Sequence, residues 1–126
     1  MSSIKVWLSS QFDMKDLGEA NFILRIKFWR DGKNKMLGLS QAGYINKVLE
    51  RFSIQNYKKG LLPFRHGVPL SDDQRPKTQE EVDTMRQVPY ASAVGSLMYA
   101  MLCTRPDICY SVGMVSRYQS NPGPKH

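Results

Sequence analysis

The chain has 126 residues, 41% of them hydrophobic, which suits one domain or two small subdomains and excludes a disordered or fibrous protein. Its two cysteines exclude a disulfide scaffold and a four-cysteine zinc site, and its longest weakly polar run, residues 93–103, is too short to span a bilayer. The net charge is +7, and residues 1–60 supply +6 of it; a polyanionic partner and a solubilising basic surface are the two readings.

Ile4, Leu8 and Phe12 fall four apart and predict an N-terminal helix that ends before Asp13, with Gly18 closing the turn that follows. Residues 21–30 predict a strand. Phe22, Leu24, Ile26 and Phe28 form an apolar face, and Ile23, Arg25, Lys27 and Trp29 alternate with them. Asp31-Gly32-Lys33-Asn34 is a hairpin signal, and residues 35–40 return as a second strand with Leu37 and Leu39 on the apolar side. Residues 41–52 are a helix with Ser40 as N-cap. Tyr44, Ile45, Val48, Leu49 and Phe52 make one stripe, with Lys47, Glu50 and Arg51 outside.

Residues 61–77 hold four prolines or glycines and the polar run Ser71-Asp72-Asp73-Gln74, and they read as a linker. Thr78 and Glu81 form a capping box for a short helix with Val82 and Met85 on its apolar edge. Val94, Leu97, Met98, Met101 and Leu102 stripe a helix that starts at Tyr90. Thr104-Arg105-Pro106-Asp107 breaks it, and Ile108, Val112 and Val115 begin a second helix that Asn121-Pro122-Gly123 stops. The fold class is therefore α+β: an N-terminal helix and β-hairpin (residues 1–60), a linker (61–77) and a helical hairpin segment (78–126).

The start, Met1-Ser2-Ser3-Ile4-Lys5, has neither the basic flank and apolar run of a signal peptide nor a myristoylation glycine. The expectation is an intracellular protein, cytoplasmic or nuclear, with no membrane association.

Several separated stretches share a resemblance. Gln11-Phe12-Asp13-Met14-Lys15-Asp16-Leu17-Gly18, Leu37-Gly38-Leu39-Ser40-Gln41 with Tyr44-Ile45 and Val48-Leu49, and Tyr90-Ala91-Ser92-Ala93-Val94-Gly95-Ser96-Leu97-Met98-Tyr99 with Thr104-Arg105-Pro106-Asp107-Ile108 resemble copia-type retrotransposon reverse transcriptases. Ser116-Arg117-Tyr118 and Asn121-Pro122 continue the match in collinear order. The resemblance implies that residues 13–40 correspond to the end of a polymerase palm and the hairpin that supports the primer terminus. It likewise implies the start of the thumb at 41–52, and at 90–120 a segment leading towards an RNase H domain. Polymerases of that family hold two Mg²⁺ ions on aspartates, two of them in a Tyr-x-Asp-Asp hairpin upstream of the part matching Gln11, and two-metal chemistry needs carboxylates that hold ions about 3.5–4 Å apart. That hairpin is not in these residues, so the expectation is a non-catalytic fragment without cofactor or metal. Asp72-Asp73 has no tyrosine at the family's position, sits among prolines and reads as a solvated loop. Where the family's strand motif has a glycine, this chain has Arg25; a glycine there reads as a close approach of backbones.

Arg25, Lys27 and Trp29, with Arg30, Lys33 and Lys35 around the turn, form the candidate nucleic-acid surface. Cations contact phosphates and an aromatic stacks on a base or sugar, whereas the bland reading is a charged, protected sheet edge. The partner expected is RNA, DNA or their hybrid, bound weakly and without sequence preference. The alternative is a domesticated element-derived module that self-associates or binds a host protein through Val94, Leu97, Met98 and Met101, and a relic fold without function is the third reading. Cys103 and Cys109 read as free thiols, and His66 and His126 have no ligand partners nearby in sequence.

Overall fold

The computed structural model describes residues 2–58, 60, 67 and 69–126. Within them run α1 (Ser2–Gln11), β1 (Phe22–Ile23), β2 (Ile26–Asp31), β3 (Met36–Ser40), α2 (Ala42–Arg51), α3 (Gln79–Arg86), α4 (Tyr90–Cys103) and α5 (Cys109–Ser116), with 3₁₀ turns at Asp72–Gln74 and Pro106–Ile108. This is the α+β arrangement expected: an N-terminal helix, a three-stranded sheet in the order β1-β2-β3, and a mostly helical remainder. The contacts fall into two units, residues 1–39 and 40–126. Residues 61–66 and 68 of the expected linker, His66 among them, lie outside the described residues. No helix of the described residues is long and apolar enough to cross a membrane.

In the first unit, α1 forms where the four-residue spacing predicts, but its apolar side chains Ile4, Trp7 and the following Phe12 stay exposed. Lys5 Nζ meets Asp16 Oδ2 at 2.8 Å, Asp16 Oδ1 accepts the Gly18 N–H, and Gly18 takes a φ of +77°. The turn is thereby tied back to the helix by a charge pair and an Asx-type bond.

The single strand expected over residues 21–30 is two strands. Leu24 and Arg25 both have positive φ, 49° and 63°, which is the two-residue type I′ loop of a tight hairpin. Phe22 pairs with Lys27 and Ile23 with Ile26. Two residues counted as strand are spent on the turn, so the alternation restarts on the other side. Directly paired residues share a face of an antiparallel ladder, so Phe22 joins Lys27 and Trp29, while Ile23 joins Ile26 and Phe28. The apolar face expected from Phe22, Leu24, Ile26 and Phe28 therefore does not exist as such. Ile26 and Phe28 are half-buried, and Phe22, Leu24, Leu37 and Leu39 are exposed.

The same turn explains the glycine that the family resemblance implies at position 25. In this chain position 25 has the left-handed φ of a hairpin loop, which glycine adopts without strain.

The second unit carries the packed core. Val94, Ala100, Val112 and Tyr118 are its buried apolar residues. Tyr44, Ile45, Val48, Leu49 and Phe52 of the α2 stripe are half-buried, and Lys47, Glu50 and Arg51 point outward, as the periodicity predicts. The N-cap of α2 is Gln41 rather than Ser40. Ser40 Oγ accepts only a long bond from Ala42 N (3.4 Å), while Gln41 is 2% exposed and its Oε1 accepts the Thr104 hydroxyl at 2.8 Å.

The Thr78–Glu81 capping box starts α3: Thr78 Oγ1 accepts the Glu81 N–H, and Glu81 Oε2 accepts the N–H groups of Thr78 and Lys77. The Pro106–Ile108 turn redirects the chain so that α5 returns along α4. Tyr90 at the start of α4 donates its hydroxyl to the Val115 carbonyl near the end of α5 (2.8 Å). Burial, with Tyr118 beside it, pushes the Tyr90 hydroxyl above its ordinary pKa.

The final turn docks on the 71–74 segment. His126 stacks on Tyr118 at 4.0 Å, its Nδ1 accepts the Gly123 N–H, and its Nε2–H faces the Ser71 carbonyl at 3.2 Å, an arrangement that needs the neutral ring protonated on Nε2. Gly123 has no room for a side chain, because a Cβ there would collide with the Gln74 carbonyl.

Arg25→Gly relieves a left-handed arginine and is expected to stabilise the chain by about 0.5–1 kcal/mol, since glycine's greater freedom when unfolded offsets part of the gain. Urea unfolding checks it: the midpoint rises with the m-value unchanged.

Candidate nucleic-acid interface

The two turns of the sheet place the candidate cations at its two ends. Arg25 is in the β1–β2 loop. Lys33 and Lys35 are in the β2–β3 loop, where Lys35 also takes a positive φ of 53°. Asp31 organises that second loop. Its Oδ1 accepts the N–H groups of Lys33 (3.0 Å) and Asn34 (3.1 Å), and its Oδ2 accepts the Asn34 side-chain amide (2.7 Å). The Asn34 bonds, side chain first, hold the Asp31 carboxyl below the usual carboxylate range.

Between the loops, Lys27 and Trp29 project from one face of β2, both exposed. Arg30 projects from the other. Its Nη1 donates to the Ala20 carbonyl at 2.7 Å and its guanidinium lies 5.7 Å from the Phe28 ring centre. Five of the six sequence candidates thus lie on or around one face and the loops at its ends, and Arg30 is engaged on the opposite side.

Two further residues belong to the Lys27–Trp29 face. Phe22, directly across from Lys27, is 65% exposed. Gly38 on β3 lies under Trp29: a Cβ at that position would stand 3.1 Å from the indole Cε3. The hydrophobic alternation puts Phe22 on the other face, because it does not announce a two-residue turn built from leucine and arginine. Gly38 gives no signal in the sequence beyond its place in a motif.

Elsewhere, Asp72 pairs with Arg75 at 2.8 Å and both carboxylates of Asp72-Asp73 are exposed in the 3₁₀ turn. Cys103 and Cys109 are free. No group of three or more His, Cys, Asp or Glu is placed to hold a metal among the described residues. Arg105 forms a bidentate pair with Asp107 (2.8 and 2.7 Å) across Pro106; its hydrogen bonds hold the Asp107 carboxyl low and raise the arginine. Beside that pair, an apolar recess of about 180 Å³ opens between α2 and α4, lined by Tyr44, Ile45, Val48, Leu49 and Leu97.

The chain is similar along nearly all of its length to Pol polyproteins and a related protein of copia-type transposons, which supports a retrotransposon origin. It is 51% identical over all 126 residues to the retrovirus-related Pol polyprotein from transposon TNT 1-94 of Nicotiana tabacum, of which it spans 10%. It is 29% identical over 98% of its length to a transposon Ty5-1 protein of Saccharomyces cerevisiae, spanning 38% of that protein. It is 32% identical over 94% of its length to the retrovirus-related Pol polyprotein from transposon RE1 of Arabidopsis thaliana, spanning 8%. The chain thus spans between 8% and 38% of the length of these relatives. No protein-family model and no solved structure matches it.

A carboxyl whose folded pKa is depressed stabilises the fold above its ordinary range and loses that contribution as pH falls through its folded value. The β2–β3 loop is therefore expected to loosen as pH drops below about 4. The amide resonances of Lys33 and Asn34 would then move towards random-coil positions, and Asp31→Ala would produce the same positions at neutral pH.

Proposed function

We propose that the chain is a non-catalytic segment of a copia-type reverse transcriptase that binds nucleic acid weakly and without sequence preference through the sheet face and its two loops. The observation that carries this reading is the exposed set of Arg25, Lys27, Trp29, Lys33 and Lys35 around one surface of a small sheet. The relationship to Pol polyproteins supports it, as do the motifs that resemble the palm end, primer-supporting hairpin, thumb start and connection-like helices of reverse transcriptases. The 126 residues contain no Tyr-x-Asp-Asp, and Asp72-Asp73, exposed and paired with an arginine, offers no enclosed carboxylate pair for two-metal chemistry.

A second reading, a protein-binding module, draws on a different observation. Ile4, Trp7, Phe12 and Leu17 of the first unit are each more than 60% exposed, and large apolar side chains that cluster on a surface mark interaction sites. Of the four helical residues considered for that role, Val94 is 3% exposed and belongs to the core, Met98 and Met101 are half-buried, and Leu97 is 39% exposed.

The first reading is tested by the salt dependence of binding to a labelled primed template. Each phosphate contact contributes about 0.7–0.9 to the log–log slope, so Arg25→Ala with Lys27→Ala lowers it by about 1.4–1.8 and adding Arg30→Ala changes it little. With Mg²⁺ and deoxynucleotides the bound primer is not extended. An unchanged slope in the double variant, or extension abolished by Asp72→Asn, overturns the reading.

The second reading expects concentration-dependent association in light scattering, reduced by Leu97→Asp if the helical hairpin is the interface. A compact monomer at high micromolar concentration that captures no partner overturns it.

A further inference from the structure

An exposed tryptophan on a sheet needs an account, because burying such a ring is among the larger favourable terms a small fold has available. Trp29 is 55% exposed. One side of its ring nonetheless packs close over Gly38: a Cβ at that position would stand 3.1 Å from the indole Cε3, tighter than ordinary contact. The pairing register puts Phe22, also exposed, on the same face, directly opposite Lys27 and diagonal to Trp29. Diagonal neighbours on an antiparallel pair have Cα atoms about 7–8 Å apart, which leaves room for bases from neighbouring nucleotides of one strand. The face therefore reads Phe22, Lys27, Trp29: two exposed rings with an exposed cation neighbouring each, and Arg25, Lys33 and Lys35 at the loop ends.

We propose that this face is a stacking platform for unpaired nucleobases, with Phe22 and Trp29 each taking a base, Lys27 meeting the intervening phosphate, and Gly38 holding the Trp29 ring across β3. The proposal rests on the nucleic-acid reading above and narrows it to single-stranded RNA or DNA, because a base inside a duplex has no free face to offer a ring. The competing account is purely structural: a tryptophan over a cross-strand glycine stabilises a sheet by covering exposed backbone. That account predicts no dependence of binding on bases.

The test uses the full chain carrying Trp7→Phe, which leaves Trp29 as its one tryptophan. Three probes of equal length are compared: oligothymidylate, an abasic deoxyribose-phosphate strand, and a dA·dT duplex. The platform predicts that oligothymidylate quenches Trp29 fluorescence and binds about tenfold or more tighter than the abasic strand. Phe22→Leu and Trp29→Leu should each narrow that ratio while leaving the abasic affinity and its salt slope unchanged, and Trp29→Phe should restore much of it. Circular dichroism of each variant confirms the fold, and the Trp29→Phe rescue separates stacking from loss of the sheet. Equal affinity for oligothymidylate and abasic strand, or duplex binding as tight as oligothymidylate without quenching, overturns the platform and leaves the basic surface standing. Absence of binding to all three probes overturns both.

Discussion

Thr104 and Gln41 are 63 residues apart, and the hydroxyl of one donates to the amide oxygen of the other at a site almost without solvent. This bond sets where α2 begins. With its side chain committed to Thr104, Gln41 caps α2 without supplying a side-chain bond, and the stripe of Tyr44, Ile45, Val48 and Leu49 then has one direction in which to face. Tyr44 repeats the link one turn later, donating to the Ser96 carbonyl at 3.1 Å and meeting the Tyr99 ring edge-on at 5.1 Å. Buried polar links of this kind add little net stability but penalise every arrangement that leaves a partner unpaired. Gln41 Nε2 is itself unpaired, so the site is held at some cost.

The helical half was largely legible in the sequence, and for a physical reason. Its elements are long enough for a 3.6-residue period to repeat, and their ends carry chemistry with few alternatives. Thr78 with Glu81 could only be a capping box, and Arg105-Pro106-Asp107 could only interrupt a helix. What escaped was the identity of the α2 cap. Ser40 is the better cap by local propensity, but the decisive partner of Gln41 lies on another helix, and local propensity carries no information about it.

The sheet was legible as a hairpin and illegible in its register. Residues 21–30 offer an unbroken alternation, and a period of two fits one strand as well as it fits two strands separated by two residues. The usual marker of a two-residue loop, Asn-Gly or Asp-Gly, is replaced by Leu24-Arg25, residues that pay for positive φ with strain. The candidate site inherited that ambiguity: Lys27, Trp29 and the loop cations kept their places, Phe22 changed sides, and Arg30 proved to be occupied with the Ala20 carbonyl.

The aromatic face is therefore stored in a count rather than in a composition. Exchanging residues of the β1–β2 loop alters strain and charge by degrees. A one-residue slip of the pairing register there does something of another kind: it turns Phe22 to the opposite side of the ladder in one step, with every side chain still present. Relatives of equal percentage identity could thus differ completely in whether they own this face. A relative with one residue fewer between Ile23 and Ile26 could not keep both the two-residue turn and this register, where a tally of matched letters would register nothing.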